Sequence, residues 1–244
     1  MSELFADHVS YADRSTLQRY SLCPMQARLM PAESVVGHAA NVGNGGHEAI
    51  SQTVESYWLA QGNMSRTEVA ECLRTNLRNA RTDIQPGVLD AFSPMVFAFA
   101  DFLVNTHFAD LMRWDGGKDE HDGQLAWKTE NGFSVTSELD LLTSTRSPEV
   151  LREHDWKSGW GMYDIDSVEA SFQFRTHAVL VFANYETVNT LQVCVWNTRH
   201  GKRLPPVEFH RSRLADYSSL VMGGLQNWCA YESAPIENVP AWPS

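Results

Sequence analysis

Apolar positions in the first hundred residues recur at helical spacing. In "STLQRYSLCPMQARL", Ser15 to Leu29, the period runs on until Pro24 interrupts it. "GGHEAISQTVESYWLA" keeps Ile50, Val54, Tyr57 and Trp58 on one side, which predicts a helix from about Gly45. Ser65 and Glu68 form a capping box at the head of "SRTEVAECLRTNLRNA", so a second helix starts there. From about Val88 to Met112 a longer apolar segment predicts more helix, with Pro94 as a kink or restart.

After Met112 the period shifts towards two. "RWDGGKDEHDG" reads as a charged loop, and "QLAWKTENGFSVTSELDLL" as two strands joined by Asn131-Gly132, a strong short hairpin signal. A third run, "EVLREHDWK", follows a Ser147-Pro148 turn. "SVEASFQFRTHAVLVFANY" is of helical length, "TVNTLQVCVWNT" is a β-branched strand, "LPPVEFHR" a weaker one, and "LADYSSLVMGGLQNWCAY" a closing helix. The expected fold class is α/β: a central mixed sheet flanked by helices, in one domain over 1–244, with a helical lobe at about 65–112.

Composition narrows the class. Of 244 residues 43% are hydrophobic and 11% aromatic, enough to bury a core. No run is expected to reach the roughly 18 apolar residues that span a bilayer, and "MSELFADHVSYADRS" is acidic where a secretory signal is basic, so a cytosolic, membrane-free protein is expected. Cys23, Cys72, Cys194 and Cys229 are scattered, with no CxxC pair, which suits reduced thiols. A net charge of −11 argues against broad electrostatic capture of nucleic acid but leaves room for a local basic groove. Candidates are Arg14, Arg19 and Arg28, a stripe of Arg74, Arg78 and Arg81, and a group near the end: Arg199, Lys202, Arg203, Arg211 and Arg213. Each could equally be a solvated face.

The candidate chemistry lies around Ser147-Pro148. If the flanking runs pair antiparallel about that turn, partners have numbers summing to 295, so Asp140 faces Asp155 and Glu138 faces Lys157. All four then share one face, with Leu139, Leu141 and Trp156 on the other. Two opposed aspartates repel unless a cation sits between them, and hard oxygen ligands suit magnesium or manganese. With a slipped register these are ordinary solvated strand residues.

In this order the motifs resemble the PD-(D/E)XK nuclease superfamily, in particular its RecB-like exonuclease branch. The matching pieces are "LQRYSLCPMQARL", "GGHEA", "SELDLL", "DWKSG" and "SFQFRTHAVL", from about Leu17 to Leu180. The resemblance implies a restriction-endonuclease-like core and a Mg2+- or Mn2+-dependent deoxyribonuclease, an exonuclease by analogy. It makes His47, Asp140 and Asp155 metal ligands with the Trp156 carbonyl as a fourth. Lys157 would orient the attacking water and Gln173 would reach that water or the DNA backbone. His177, where many relatives carry Tyr, would contact DNA on the Gln173 face, and Arg74 and Arg78 would guide a strand. Read alone, His47 is equally a helix-surface histidine and Gln173 a polar helix position. Cys23 matches an early cysteine of relatives with an iron-sulfur cluster, but the other three do not cluster, so no cluster is expected in this chain. The acidic balance leaves a helicase, recombination factor or other partner protein to supply basic surface. Two rival functions stand beside it: a catalytically silent nucleic-acid-binding or assembly module on the same fold, and a different metal hydrolase using the same His and Asp ligands on a small substrate.

Overall fold

The computed structural model describes residues 11–29, 38–114, 125–130 and 132–241. A short strand, β1 (Tyr11–Asp13), leads into α1 (Arg14–Leu22) and α2 (Pro24–Leu29). Asp13 caps α1 by accepting the Thr16 N–H at 3.0 Å, and Pro24, with no N–H to give, restarts the chain as a separate helix. The next helix, α3 (His38–Leu59), begins seven residues before Gly45 and carries both glycines in its interior. Close packing explains them: a Cβ on Gly46 would lie 2.0 Å from the Phe92 ring, and one on Gly45 3.0 Å from Ile84 Cδ1. The helix α4 (Arg66–Arg78) starts at the Ser65–Glu68 capping box.

The apolar segment from Val88 to Met112 is not one helix. It divides into α5 (Gln85–Phe92), a 3₁₀ turn over Ser93–Met95 containing Pro94, α6 (Val96–Val104) and the strand β2 (Leu111–Trp114), which holds Met112. Gln85–Val104 is also long and apolar enough to cross a membrane by length and composition, contrary to the expectation from sequence. Here Pro94 breaks it, and Val88, Phe92, Phe99 and Leu103 are sequestered in the protein's own core.

Two mixed sheets follow. In the smaller, β3 (Leu125–Lys128) and β4 (Ser134–Ser137) pair antiparallel, Leu125 opposite Ser137, across a turn in which Gly132 takes φ +80°; β1 lies parallel to β4. Asn131 falls outside the described residues. The larger sheet runs β2, β5 (Leu141–Ser144), β6 (Val150–Lys157), β7 (Thr190–Asn197), with β8 (Lys202–Arg203) and β9 (Val207–His210) both paired to β7. Only β6 and β7 are parallel there, and their crossover carries α7 (Ile165–Ala170) and α8 (Phe172–Asn184). The closing helix is α9 (Leu214–Tyr231).

"SELDLL" is therefore not one strand, because the chain leaves the smaller sheet after Ser137 and enters the larger at Leu141. Leu139 turns into the core beneath α8 and α9, while Leu141 and Trp156 enter the core beneath α3 to α6, so the three do not share a side. Both cores pack against the larger sheet, on opposite faces, and β6 is common to them.

Candidate active site

The antiparallel pair β5–β6 has the expected register: Leu141 faces His154, Leu142 faces Glu153 and Thr143 faces Arg152. Pairing stops at Leu141, so the Trp156 N–H lacks a ladder partner, and Asp140 supplies one: its Oδ2 accepts that N–H at 2.8 Å. Asp140 thus comes from the bend between the sheets rather than from a strand.

Its Oδ1 lies 3.0 Å from His47 Nδ1, and His47 Nε2 lies 2.8 Å from the Trp156 carbonyl oxygen. Both ring nitrogens face oxygen acceptors, an arrangement that suits the imidazolium, which donates from each. Burial works against the charged ring, but the Asp140 carboxylate, by charge and hydrogen bond, outweighs it with help from Asp155 and pushes the His47 pKa up to about 9. Burial raises and the His47 charge more than offsets for Asp140, whose pKa lies below the usual carboxylate value.

Asp155 is 2% exposed. The Lys157 ammonium is 2.9 Å from its Oδ2, but the contact with hydrogen-bond geometry runs to Oδ1 at 3.2 Å, leaving Oδ2 buried with no hydrogen-bond donor. Gln173, in the first turn of α8, closes the set: Nε2 donates to Asp155 Oδ1 at 2.8 Å and Oε1 accepts from Lys157 Nζ at 2.9 Å. Burial would strip the Lys157 proton, yet Asp155 and Asp140 hold the ammonium above the ordinary lysine range. These five side chains line one cleft of about 410 Å³.

The residues fit a hard divalent cation. Asp155 Oδ2 is a buried oxygen with no hydrogen-bond donor, facing only the Lys157 ammonium, and the Asp140 and Trp156 oxygens bracket a ring that carries positive charge. Among the described residues no three His, Cys, Asp or Glu side chains form a ready-made metal cluster. Magnesium is commonly held by one or two carboxylates, completing its shell with water and substrate phosphate, so two aspartates and a carbonyl suffice in kind. His47 would have to release its contact with the Trp156 oxygen to serve as a nitrogen ligand.

Other expected residues lie elsewhere. Glu138 is exposed and lines the cleft, but it does not face Lys157 across a strand pair, because the β5–β6 pairing ends at Leu141. His177 does not reach the cleft as a DNA contact: it is 1% exposed, its Nδ1 2.5 Å from Glu153 Oε1 and its Nε2 3.0 Å from Ser137 Oγ. The i, i+4 spacing from Gln173 is real, but the first-turn residue reaches the cleft edge while the next turn runs beneath the sheet. Arg74 pairs with Glu71 and stacks on Phe97 at 4.5 Å; Arg78 is exposed at the end of α4; Arg81 lies beyond the helix, paired with Asp83. None of the three lines the cleft.

A further cation of the cleft is Arg14, in the first turn of α1, with Nη1 on Gln18 Oε1 at 3.1 Å and Nε buried without a hydrogen-bond partner. Asn44, one turn before His47, and Ser137 line it too. Arg14 was legible only as part of a patch, whereas Asn44 had a usable signal: it lies i−3 from the motif histidine, on the same helical face. The sequence matches no family model and no curated protein.

Proposed function

We propose that this chain is a metal-dependent deoxyribonuclease with a restriction-endonuclease-like core. The observation that carries the reading is the convergence of Asp140, Asp155, Lys157, Gln173 and His47, from four separate elements, on one cleft. A Mg2+ or Mn2+ ion held by the two aspartates and the Trp156 carbonyl would supply Lewis-acid polarisation of the phosphoryl group and an activated water. Lys157, kept cationic and fixed by Asp155 and Gln173, is placed to meet the charge that builds on a phosphate. Gln173 fixes the ammonium and carboxylate relative to each other, and Arg14 offers a second cation for a flanking phosphate. Exonuclease action rests on the RecB-like resemblance alone, and a cytosolic setting suits four cysteines none of which is in a disulfide.

A specific observation favours the rival reading, a silent nucleic-acid-binding or assembly module with a protein partner. His47 occupies two of the oxygens a metal would use. Digestion of end-labelled linear and closed circular DNA, single- and double-stranded, with Mg2+, Mn2+ or EDTA, separates the two. The nuclease reading expects metal-dependent loss of linear DNA, abolished in a Lys157→Met protein that is folded by circular dichroism. Wild type that is inert on every substrate, with manganese absent from its calorimetric titration, would leave the silent module.

A further inference from the structure

The segment between β6 and α7 carries three large apolar side chains into solvent: Trp160 (76% exposed) and Met162 (49%) in the loop that follows Lys157, and Ile165 (45%) at the start of α7. Exposure of this kind in an uncontrolled loop would be a liability, and this loop is tightly held. Thr198 Oγ1 donates to the Lys157 carbonyl at 3.3 Å, Arg199 Nε to that of Ser158 at 3.2 Å and His200 Nε2 to that of Trp160 at 3.1 Å. Asn197, 1% exposed, accepts the Tyr163 N–H at 3.0 Å. Asn197 at the end of β7 and the 3₁₀ turn over Thr198–His200 thus fix both ends of the loop and its middle.

The indole is fixed as well. The Arg199 guanidinium lies 4.0 Å from its ring centroid and is itself anchored by Asp90 of α5, so one face of Trp160 is backed and the other is open. The start of the loop lies against α3: Ser158 Oγ is 3.3 Å from where a Cβ on Gly43 would be, one helical turn before His47. Lys157 begins the loop, and its ammonium is 5.7 Å from the Tyr163 ring centroid.

We propose that Trp160, backed by Arg199, is a stacking platform for an unpaired nucleobase of the strand in the cleft, which makes single-stranded DNA or a frayed end the substrate class. This rests on the nuclease reading for the cleft's polyanionic ligand. The chemistry selects the occupant: an open indole face that is already held in place offers a base π-stacking without reordering the loop, and Arg14 and Lys157 provide for phosphates alongside. Inside an intact duplex each base is already stacked on both sides and presents no face to it.

The test is fluorescence anisotropy in EDTA, where no cleavage occurs, with a labelled single strand and a labelled blunt duplex, on wild type, Trp160→Ala and Trp160→Phe. Because Trp160 is exposed, its loss leaves the fold intact. Trp160→Ala should weaken single-strand binding by about fivefold to about a hundredfold, the range of base–aromatic stacking, and leave blunt-duplex binding unaltered, with Phe restoring most of the loss. Equal single-strand affinity in wild type and Trp160→Ala would overturn the platform, as would no single-strand binding by wild type or an equal loss on blunt duplex. Cleavage in Mn2+ separates the two readings. Trp160-dependent binding without cleavage removes the nuclease and keeps the platform; cleavage with a KM indifferent to Trp160→Ala does the reverse.

Discussion

Glu153 and His177 are the most deeply buried ionisable contact near the cleft, 0% and 1% exposed, and Glu153 Oε2 has no partner. Desolvation raises the Glu153 pKa above its ordinary 4.5, with His177 opposing. Removing one member of a buried pair strands the other, a loss of about 3–5 kcal/mol, and it should fall on folding rather than on DNA. His177→Ala should therefore lower urea-unfolding stability by about that amount, while the folded protein binds DNA as wild type does. A DNA contact at His177 would give the opposite pattern. Arg14 is the contrasting residue: it lines the cleft, so Arg14→Ala should raise KM for DNA severalfold with little change in melting temperature.

At the scale of elements, α3 shows how one small residue sets the position of a functional one. Gly46 lies against the Phe92 ring of α5 with no space for a methyl, and His47 is its neighbour. Gly46→Ala must push α3 away from α5, costing at least about 1–3 kcal/mol and displacing the imidazole from Asp140. Activity per folded molecule should fall by tenfold or more, whereas Gly159→Ala, in open space, should leave stability within about 0.5 kcal/mol of wild type. Calorimetry and the nuclease assay on the same samples check both. The same helix marks where the sequence was legible and where it was not. The Ser65–Glu68 box located the start of α4 because capping is local chemistry, and the β5–β6 register followed from one turn. Gly45 and Gly46 look like a helix start because the groups that require them, Ile84 for the first and the Phe92 ring for the second, lie far along the chain. The bend at 138–140 was hidden for the same reason: that two consecutive runs belong to different sheets is a tertiary fact, and local alternation cannot show it.

Across the whole molecule, two histidines on β6 and α3 limit stability from opposite sides of neutral pH. His154 is fully buried, its Nδ1 accepting from Trp196 Nε1 at 3.3 Å; burial first, then Arg203 and Arg152, hold its pKa well below 6.5. The unfolded chain takes up this proton as pH falls through 6.5 and the folded one does not, so stability is present above 6.5 and is lost below it, by up to about 1.4 kcal/mol per pH unit. His47 has the reverse sign. Its folded pKa is raised to about 9, so its contribution is complete below 6.5 and disappears as pH rises through about 9. With a quarter of the side chain open to solvent, that contribution is about 2 kcal/mol. Glu153 also loses stability upward from 4.5, so each histidine is best read as the difference between wild type and variant. In EDTA, His154→Gln, which keeps an acceptor for the Trp196 N–H, should flatten the slope of stability between pH 6.5 and 4.5. His47→Gln should flatten it between 6.5 and 9. Urea midpoints at half-unit pH steps would resolve both, and a His154→Gln curve parallel to wild type on the acid side would mean that His154 is protonated in the folded chain.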